Sequence, residues 1–526
     1  MYYPAEGAAV RHFDFHSAFA SPENLPGNHL ARRAIAFGAV SAAALWPGLS
    51  AADTLFDAIQ MAYQTNPSLQ AQQARLRATD EEVVQARAGY GVQVNFQGQG
   101  TNQTAHVNLP AGPFLPATNK TLNSTTGQAQ ITAVQPLFTN GRVHAQIAGA
   151  RADVAAGRQD LRQNEAQLIL NVITAYEDVR RDRQTLGILR DEIDDINNEY
   201  LETKARTDLG DLTRTDLSQA EARLVAAKSQ LTLAQGQLDV AAAEYVNVVG
   251  QNPGELAPEP DLPGVPDSPQ HAFDAAEQDN PVLLSAMQSE RAASAKVQEA
   301  KASLGPNVSL QAVAGVSPYQ TFTPSAYVYG VTVGVVVDQP IFTSGINSSK
   351  VHQAIETDNA AELDVDTARR NVVQSVAKAW DQLVSTDRAL VLQQQQVDFE
   401  TVAAEGYRVE SKAGTRTTID LLNAELELAN SKIALLQSRH DEYIARASLL
   451  AAMGRLELRY LMPGAPVYDP TISAKRVENR FASPWEGGFD EIGTLLYPPP
   501  PPPAPAVPAT AEAVRPAVSG AEVVAP

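Results

Sequence analysis

Apolar residues recur every seven positions through much of the chain. Val172, Val179, Leu186, Ile193 and Tyr200 hold one phase, with Leu189 and Ile196 beside it, and Val376, Leu383, Leu390 and Val397 repeat it downstream. That period predicts coiled-coil helices. After Gly210 a second series runs Leu217, Leu224, Leu231, Leu238 and Tyr245, each followed three residues on by Ala220, Ala227, Ala234, Ala241 or Val248. Its counterpart after Gly414 is Leu421, Leu428, Leu435 and Leu449, with Ala424, Ser431, Ser438 and Ala445. Small residues at alternate seam positions let helices approach closely, so each glycine reads as the turn of a long antiparallel hairpin. A helix from about Val143 to Arg206 would be roughly 95 Å long at about 1.5 Å per residue.

Four stretches switch to period two. Val92, Val94 and Phe96 alternate with Gln93, Asn95 and Gln97; Ala129, Ile131 and Ala133 alternate with Gln128, Gln130 and Thr132. Further on, Val308, Leu310, Ala312 and Ala314 oppose Asn307, Ser309 and Gln311, while Tyr327, Tyr329, Val331, Val333 and Val335 oppose Gly330, Thr332 and Gly334. Each predicts a strand with one apolar and one polar face, suited either to a membrane barrel or to a β-sandwich core. Interstrand segments read as polar loops, the longest from Asn102 to Thr126.

The pattern is duplicated. Gln135-Pro136-Leu137-Phe138-Thr139-Asn140-Gly141 matches Gln339-Pro340-Ile341-Phe342-Thr343-Ser344-Gly345, 204 residues on, and the offset persists from Gly210 to Gly414, Asp216 to Asp420 and Gly250 to Gly454. Upstream, Asn66-Pro67 resembles Asn280-Pro281 at an offset of 214, so ten residues differ between the copies. The expected organisation is an N-terminal extension and signal peptide over 1–52, a first repeat over 53–251, a proline-rich linker over 252–269, a second repeat over 270–458, and a C-terminal region over 459–526. Each repeat is read as a helix, two strands and a long hairpin, an α+β fold.

Composition narrows the function classes. The chain carries 60 acidic against 40 basic residues, a net charge of −20, and no cysteine. An acidic chain without basic blocks is repelled by phosphate backbones, so nucleic acid is excluded as a partner. Arg32 and Arg33, the apolar run Ala34–Leu45 and the small residues Ser50, Ala51 and Ala52 read as a secretory signal ending near Asp53. No apolar run is long enough for a helical span, so entry into a membrane would require a closed barrel. Four strands cannot close one, whereas a ring of three chains would supply twelve. The tail from Pro498 to Pro516 reads as extended low-complexity sequence.

No enzyme motif is present, and no cofactor is expected. Thr213-x-x-Asp216 and Thr417-x-x-Asp420 each have capping-box spacing after a glycine turn.

The duplicated hairpins, the paired strands and the turn Gly414-Thr415-Arg416-Thr417-Thr418-Ile419-Asp420-Leu421-Leu422-Asn423-Ala424 resemble the TolC family of outer-membrane export ducts over roughly Asp53 to Leu458. The resemblance implies a TolC-like homotrimer in the bacterial outer membrane, with a twelve-stranded transmembrane barrel in lipid and an α-helical tunnel across the periplasm. It also implies two partners, a periplasmic adaptor (membrane fusion protein) and an inner-membrane ABC transporter. Asp216, Asp420 and Arg416 match positions that constrict the periplasmic entrance. Leu209, Gly210, Asp211 and Leu212, with Ala413, Gly414 and Thr415, match hairpin tips where an adaptor docks, and Tyr327 to Val335 face lipid. Asn423 and Ser411 depart from the pattern, where relatives carry an acid and an aromatic. The Gly-Thr-Arg-Thr turn is similar to the type I secretion branch, which exports proteins. Multidrug or small-molecule efflux is the alternative cargo, and a secreted coiled-coil scaffold with a β-sandwich head is the alternative of another class.

Overall fold

The computed structural model describes residues 53–114, 116–320 and 323–478; the expected signal segment and proline-rich tail lie outside them. One order of elements occurs twice. The first copy is α1 (Leu55–Thr65), α2 (Pro67–Arg87), β1 (Gln93–Leu109), β2 (Thr118–Phe138), α3 (Arg142–Asp208) and α4 (Arg214–Val249). The second is α5 (Pro269–Asp279), α6 (Pro281–Ala302), β3 (Asn307–Gln320), β4 (Thr323–Asp338), α7 (Ile346–Lys412) and α8 (Thr418–Ala452), followed by α9 (Leu458–Leu461) and α10 (Pro470–Glu478). The α+β class read from the two periodicities is the one observed.

Helices α3 and α7 contain 67 residues each, about 100 Å at about 1.5 Å per residue. Val172, Val179, Leu186, Leu189 and Ile196 are buried on α3, and Val376, Leu383 and Val397 on α7. Facing them, Ala220, Ala227, Ala234 and Ala241 are buried on α4, where methyl-sized side chains admit the neighbouring backbone.

The repeated Gln-Pro and Asn-Pro motifs turn out to be joints. Asn66 and Asn280 cap α2 and α6 by accepting N–H groups two and three residues on, and their amides donate to Val248 O (3.2 Å) and Ala452 O (2.8 Å). Each short helix pair is thereby tied to the end of its own returning hairpin. Gln135 and Gln339 donate to Tyr90 O (2.9 Å) and Leu304 O (3.0 Å) at the corner where strand meets helix. That corner takes two successive left-handed residues, Asn140-Gly141 and Ser344-Gly345, a conformation that short polar side chains and glycine bear better than bulky ones.

The proline-rich connector is a packed strap. Leu256 makes a parallel bridge with Asp53, Tyr443 Oη donates to Pro260 O (2.8 Å), and Arg183 donates to the carbonyls of Pro253 and Gly254. The core under the strap unites α1, α2, α3, α4, α8 and α9 around Tyr176, Tyr245, Ile173 and Leu450.

The four strands form one antiparallel sheet ordered β1-β2-β3-β4. Its register lines up Phe96, Ile131, Ala314 and Val331 in one row and Val94, Ala133, Ala312 and Val333 in the next. One face is therefore apolar across all four strands. The other carries a glutamine ladder, with Gln128 donating to Gln99 (2.6 Å) and Gln130 to Gln97 (3.0 Å). The loop expected from Asn102 to Thr126 is a correction: β1 continues to Leu109 and pairs with β2 from Thr118, leaving only residues 110–117 as the turn. Thr- and Asn-rich sequence whose few apolar residues change face hides a strand from a hydrophobicity pattern, and the cross-strand register reveals it.

Candidate functional site

The two hairpin tips are built alike. Leu209 ends α3, and Gly210 then takes φ +86°. The N–H groups of Gly210 and Asp211 bond back to Thr207 O and Arg206 O. At the second tip Ala413, Gly414 (φ +75°) and Thr415 repeat the geometry, bonding to Ser411 O and Glu410 O. These are Schellman turns, which satisfy the last helical carbonyls and favour glycine at the left-handed position. Leu209 is 79% exposed, an apolar side chain presented at the tip.

The next residues start the returning helices. Asp216 accepts from the backbone N–H (3.0 Å) and hydroxyl (2.8 Å) of Thr213, and Asp420 accepts from those of Thr417 (3.2 and 2.7 Å). Each threonine oxygen in turn accepts the aspartate N–H, so the capping box is complete at both sites. These hydrogen bonds hold both carboxyls below the usual carboxylate range, and both are ionised at neutral pH. Protonation is thus a poor way to discharge them, leaving cations or basic partners.

Arg416 does not pair with Asp420. Its Nε donates to Glu410 (2.9 Å), and its guanidinium lies 4.8 Å from the centre of the Tyr407 ring. Tyr407, one heptad before Gly414, therefore supplies an aromatic platform that Ser411 lacks.

Sequence reasoning missed the ties near the tips, one within the second hairpin and two between the hairpins. Arg408 of α7 donates to Glu425 of α8 (2.8 Å) and to Asp195 of α3 (3.3 Å), and Arg223 of α4 donates to Asn423 (2.8 Å). Glu192 and Glu425 are buried with one carboxylate oxygen unbonded in each. Burial raises the pKa of Glu192, helped by the charge of Glu425; burial also raises that of Glu425, against the pull of Arg408. No periodicity links residues some two hundred positions apart, though a charged residue at an otherwise apolar seam was the available signal.

At the other end, Tyr327, Tyr329, Val331, Val333 and Val335 stand exposed along β4 on the apolar face. β1 and β4 are open edges of the sheet. Heptad-spaced apolar residues are also uncovered on the helices, notably Leu233 and Val240 on α4 and Leu392, Phe399, Val402 and Val409 on α7. Among the described residues no helix is long and apolar enough to cross a membrane, and no carboxylate or imidazole group has metal-binding geometry.

The family model for outer membrane efflux proteins matches residues 58–251 and 272–455, one match to each repeat. The outer membrane efflux protein BepC of Brucella suis is 31% identical over 82% of this chain and 91% of its own length. The alkaline protease secretion protein AprF of Pseudomonas aeruginosa is 25% identical over 61% of this chain and 68% of its own. The crystal structure of the Campylobacter jejuni CmeC outer membrane channel superposes with a TM-score of 0.66 at 13% identity, covering 81% of this chain and 90% of that one.

Proposed function

The chain belongs to the outer membrane efflux protein family, and from that premise we propose that three copies close a single duct conducting a protein substrate by type I secretion. As a member it is a non-enzymatic transport conduit of the outer membrane that extends into the periplasm. The observation that carries the trimer is the sheet: four strands with two open edges and an apolar band that crosses all four on one face, through Val94–Ala133–Ala312–Val333 and Phe96–Ile131–Ala314–Val331. In lipid such edges leave backbone groups unsatisfied, and neighbouring copies remove them by pairing β4 of one chain with β1 of the next. The same neighbours would cover the uncovered heptad stripes of α4 and α7. Tyr327 to Val335 then face lipid, and the glutamine ladder faces water.

The protein cargo is supported by the Gly-Thr-Arg-Thr turn and by likeness to a secretion protein. Efflux of small molecules is the second reading, supported by the likeness to BepC. Energy comes from an inner-membrane ABC transporter, reached through a periplasmic adaptor that docks at Leu209–Leu212 and Ala413–Thr415. Deleting the gene separates the cargoes: loss of a secreted protein with unchanged drug tolerance supports secretion, and the reverse pattern supports efflux.

In this reading Asp216 and Asp420 form a ring of six carboxylates at the periplasmic entrance. Replacing both by Asn removes charge while keeping an oxygen that caps, so charge and capping become separable. In planar bilayers the paired Asn variant should weaken block by a divalent cation from the periplasmic side about tenfold or more. Block equal to that of the unmodified channel would leave capping as the role of both residues.

A further inference from the structure

The β1–β2 hairpin reverses its polarity partway along. Up to Gly100 and Gly127, Val94, Phe96, Ile131 and Ala133 share one face, and Gln97, Gln99, Gln128 and Gln130 share the opposite one. Beyond that level the first face becomes Asn102, Thr104, His106 and Asn108 opposite Thr125, Asn123, Thr121 and Asn119. The glutamine face, followed by the same alternation, passes Thr101 and Gln103, opposite Thr126 and Ser124, and then carries Ala105, Val107 and Leu109, opposite Leu122, Lys120 and Thr118. A ribbon surrounded by water on both sides has no reason to place its aliphatic residues on the pore side. The turn that joins its strands is also apolar, Pro110-Ala111-Gly112-Pro113-Phe114, and Phe114 is 97% exposed.

This ribbon is where the two repeats differ. The offset between copies is 214 at the start of β1 and β3 but 204 at Gln135 and Gln339, so the first hairpin carries ten extra residues. Pairing of β2 with β3 stops at Ala129–Val316, and the β3–β4 hairpin ends at Gln320–Thr323. The extra length therefore stands beyond the rest of the sheet.

We infer that the three ribbons of the trimer lean together and pack their pore-side aliphatic residues and Phe114 turns on the symmetry axis, as a cap over the external mouth. This rests on the trimeric duct proposed above. The occupant of each apolar face is the same face of another copy, because a pore-side surface of a three-fold ring looks across the axis at its own equivalents. The reach suffices: twelve strands about 4.8 Å apart and tilted about 40° put the wall about 12 Å from the axis. From Thr101 to Leu109 the ribbon extends about 27 Å at about 3.4 Å per residue. Charge opposes convergence only through Lys120, since residues 93–138 contain no Asp, Glu or Arg in a chain of net charge −20. Lys120, the one lysine on the ribbon, lies opposite Val107, and its long stem can carry the ammonium to the wet rim.

The absence of cysteine makes the test clean. In the full chain in intact cells, Phe114→Cys should give disulfide-linked dimers under mild oxidation, consuming two of the three chains in each trimer, because bridging demands Cα atoms within about 7 Å. Asn123→Cys on the outer face should not cross-link. A Gln97→Cys thiol inside the barrel should react slowly with a bulky maleimide added outside. Adding Val107→Ser, Leu109→Ser and Phe114→Ser should speed that reaction about tenfold or more, the change that one lost aliphatic contact makes to an open–closed equilibrium. Trimers on native gels with no Phe114→Cys dimer and unchanged labelling would overturn the cap and leave the duct intact. A monomer on native gels would overturn the trimer and the cap with it.

Discussion

Gly454→Ala should lower the stability of the folded chain by about 4 kcal/mol, combining left-handed strain of about 1–2 kcal/mol with overpacking of about 1–3 kcal/mol. Gly454 has φ +75° and ends α8 in a Schellman turn, with Arg455 N–H bonded to Leu450 O at 2.8 Å. A Cβ there would lie 2.5 Å from Asp279 O and 2.7 Å from Asn280 Cα, both backbone atoms that cannot rotate away. Those atoms belong to the joint between α5 and α6, which Asn280 ties to Ala452. Gly250, its equivalent in the first repeat, has φ +91° but meets only the Thr65 hydroxyl, at 3.4 Å. Gly250→Ala should therefore cost only the strain, about 1–2 kcal/mol. Gly414 has φ +75° and open space around it, so its alanine variant belongs with Gly250. Apparent melting temperatures of the detergent-solubilised proteins should rank Gly454→Ala far below the other two. A common small shift for all three would show that the joint yields.

Glu165→Gln should raise stability at pH 8 by up to about 3 kcal/mol and leave it nearly unchanged near pH 4.5. Glu165 sits on α3 beneath the segment leading into α9, where it accepts the Leu458 N–H at 3.1 Å. Burial pushes its pKa up to about 7, and the neighbouring carboxylate of Glu457 adds to the rise. Arg162 bonds Glu457 at 2.7 Å and Arg459 bonds it at 2.6 Å, so the cations nearby are engaged mainly by the other acid. A carboxyl whose folded pKa lies above its unfolded value holds its proton longer in the folded state. The stability linked to it is complete below about pH 4.5 and is lost as pH rises through about 7. Glutamine keeps the oxygen that accepts from Leu458 and never acquires the charge. Denaturation series at several pH values give the test as a difference between the two proteins, because other buried acids, such as Glu177 and Glu442, slope the same way in both. Parallel curves would show that Glu165 is solvated when it ionises.

The heptad residues that reached burial, Val172, Val179 and Leu186 on α3 and Val376, Leu383 and Val397 on α7, were legible because a helix repeats its contacts along one strip of sequence. Capping at Asp216 and Asp420 was legible for the same reason: donor and acceptor lie three residues apart. The surroundings of Arg416 were less so. The sequence groups Arg416 with the aspartates, yet its nearest partners are Glu410 and Tyr407, and near the tips the bonds joining the hairpins come from Arg408 and Arg223.

By itself the sequence determined the two repeats, the long hairpins, the glycine turns and the two-faced strands, all set by interactions within a turn or two of the chain. It also counted the ten residues by which the repeats differ. Only the tertiary structure decided that those residues extend a ribbon, that its polarity reverses, that Gly454 abuts Asp279, and that Glu165 lies buried under Leu458. Each of these depends on which distant segment lies opposite, and pairing across the fold is chosen by register and packing of the whole molecule.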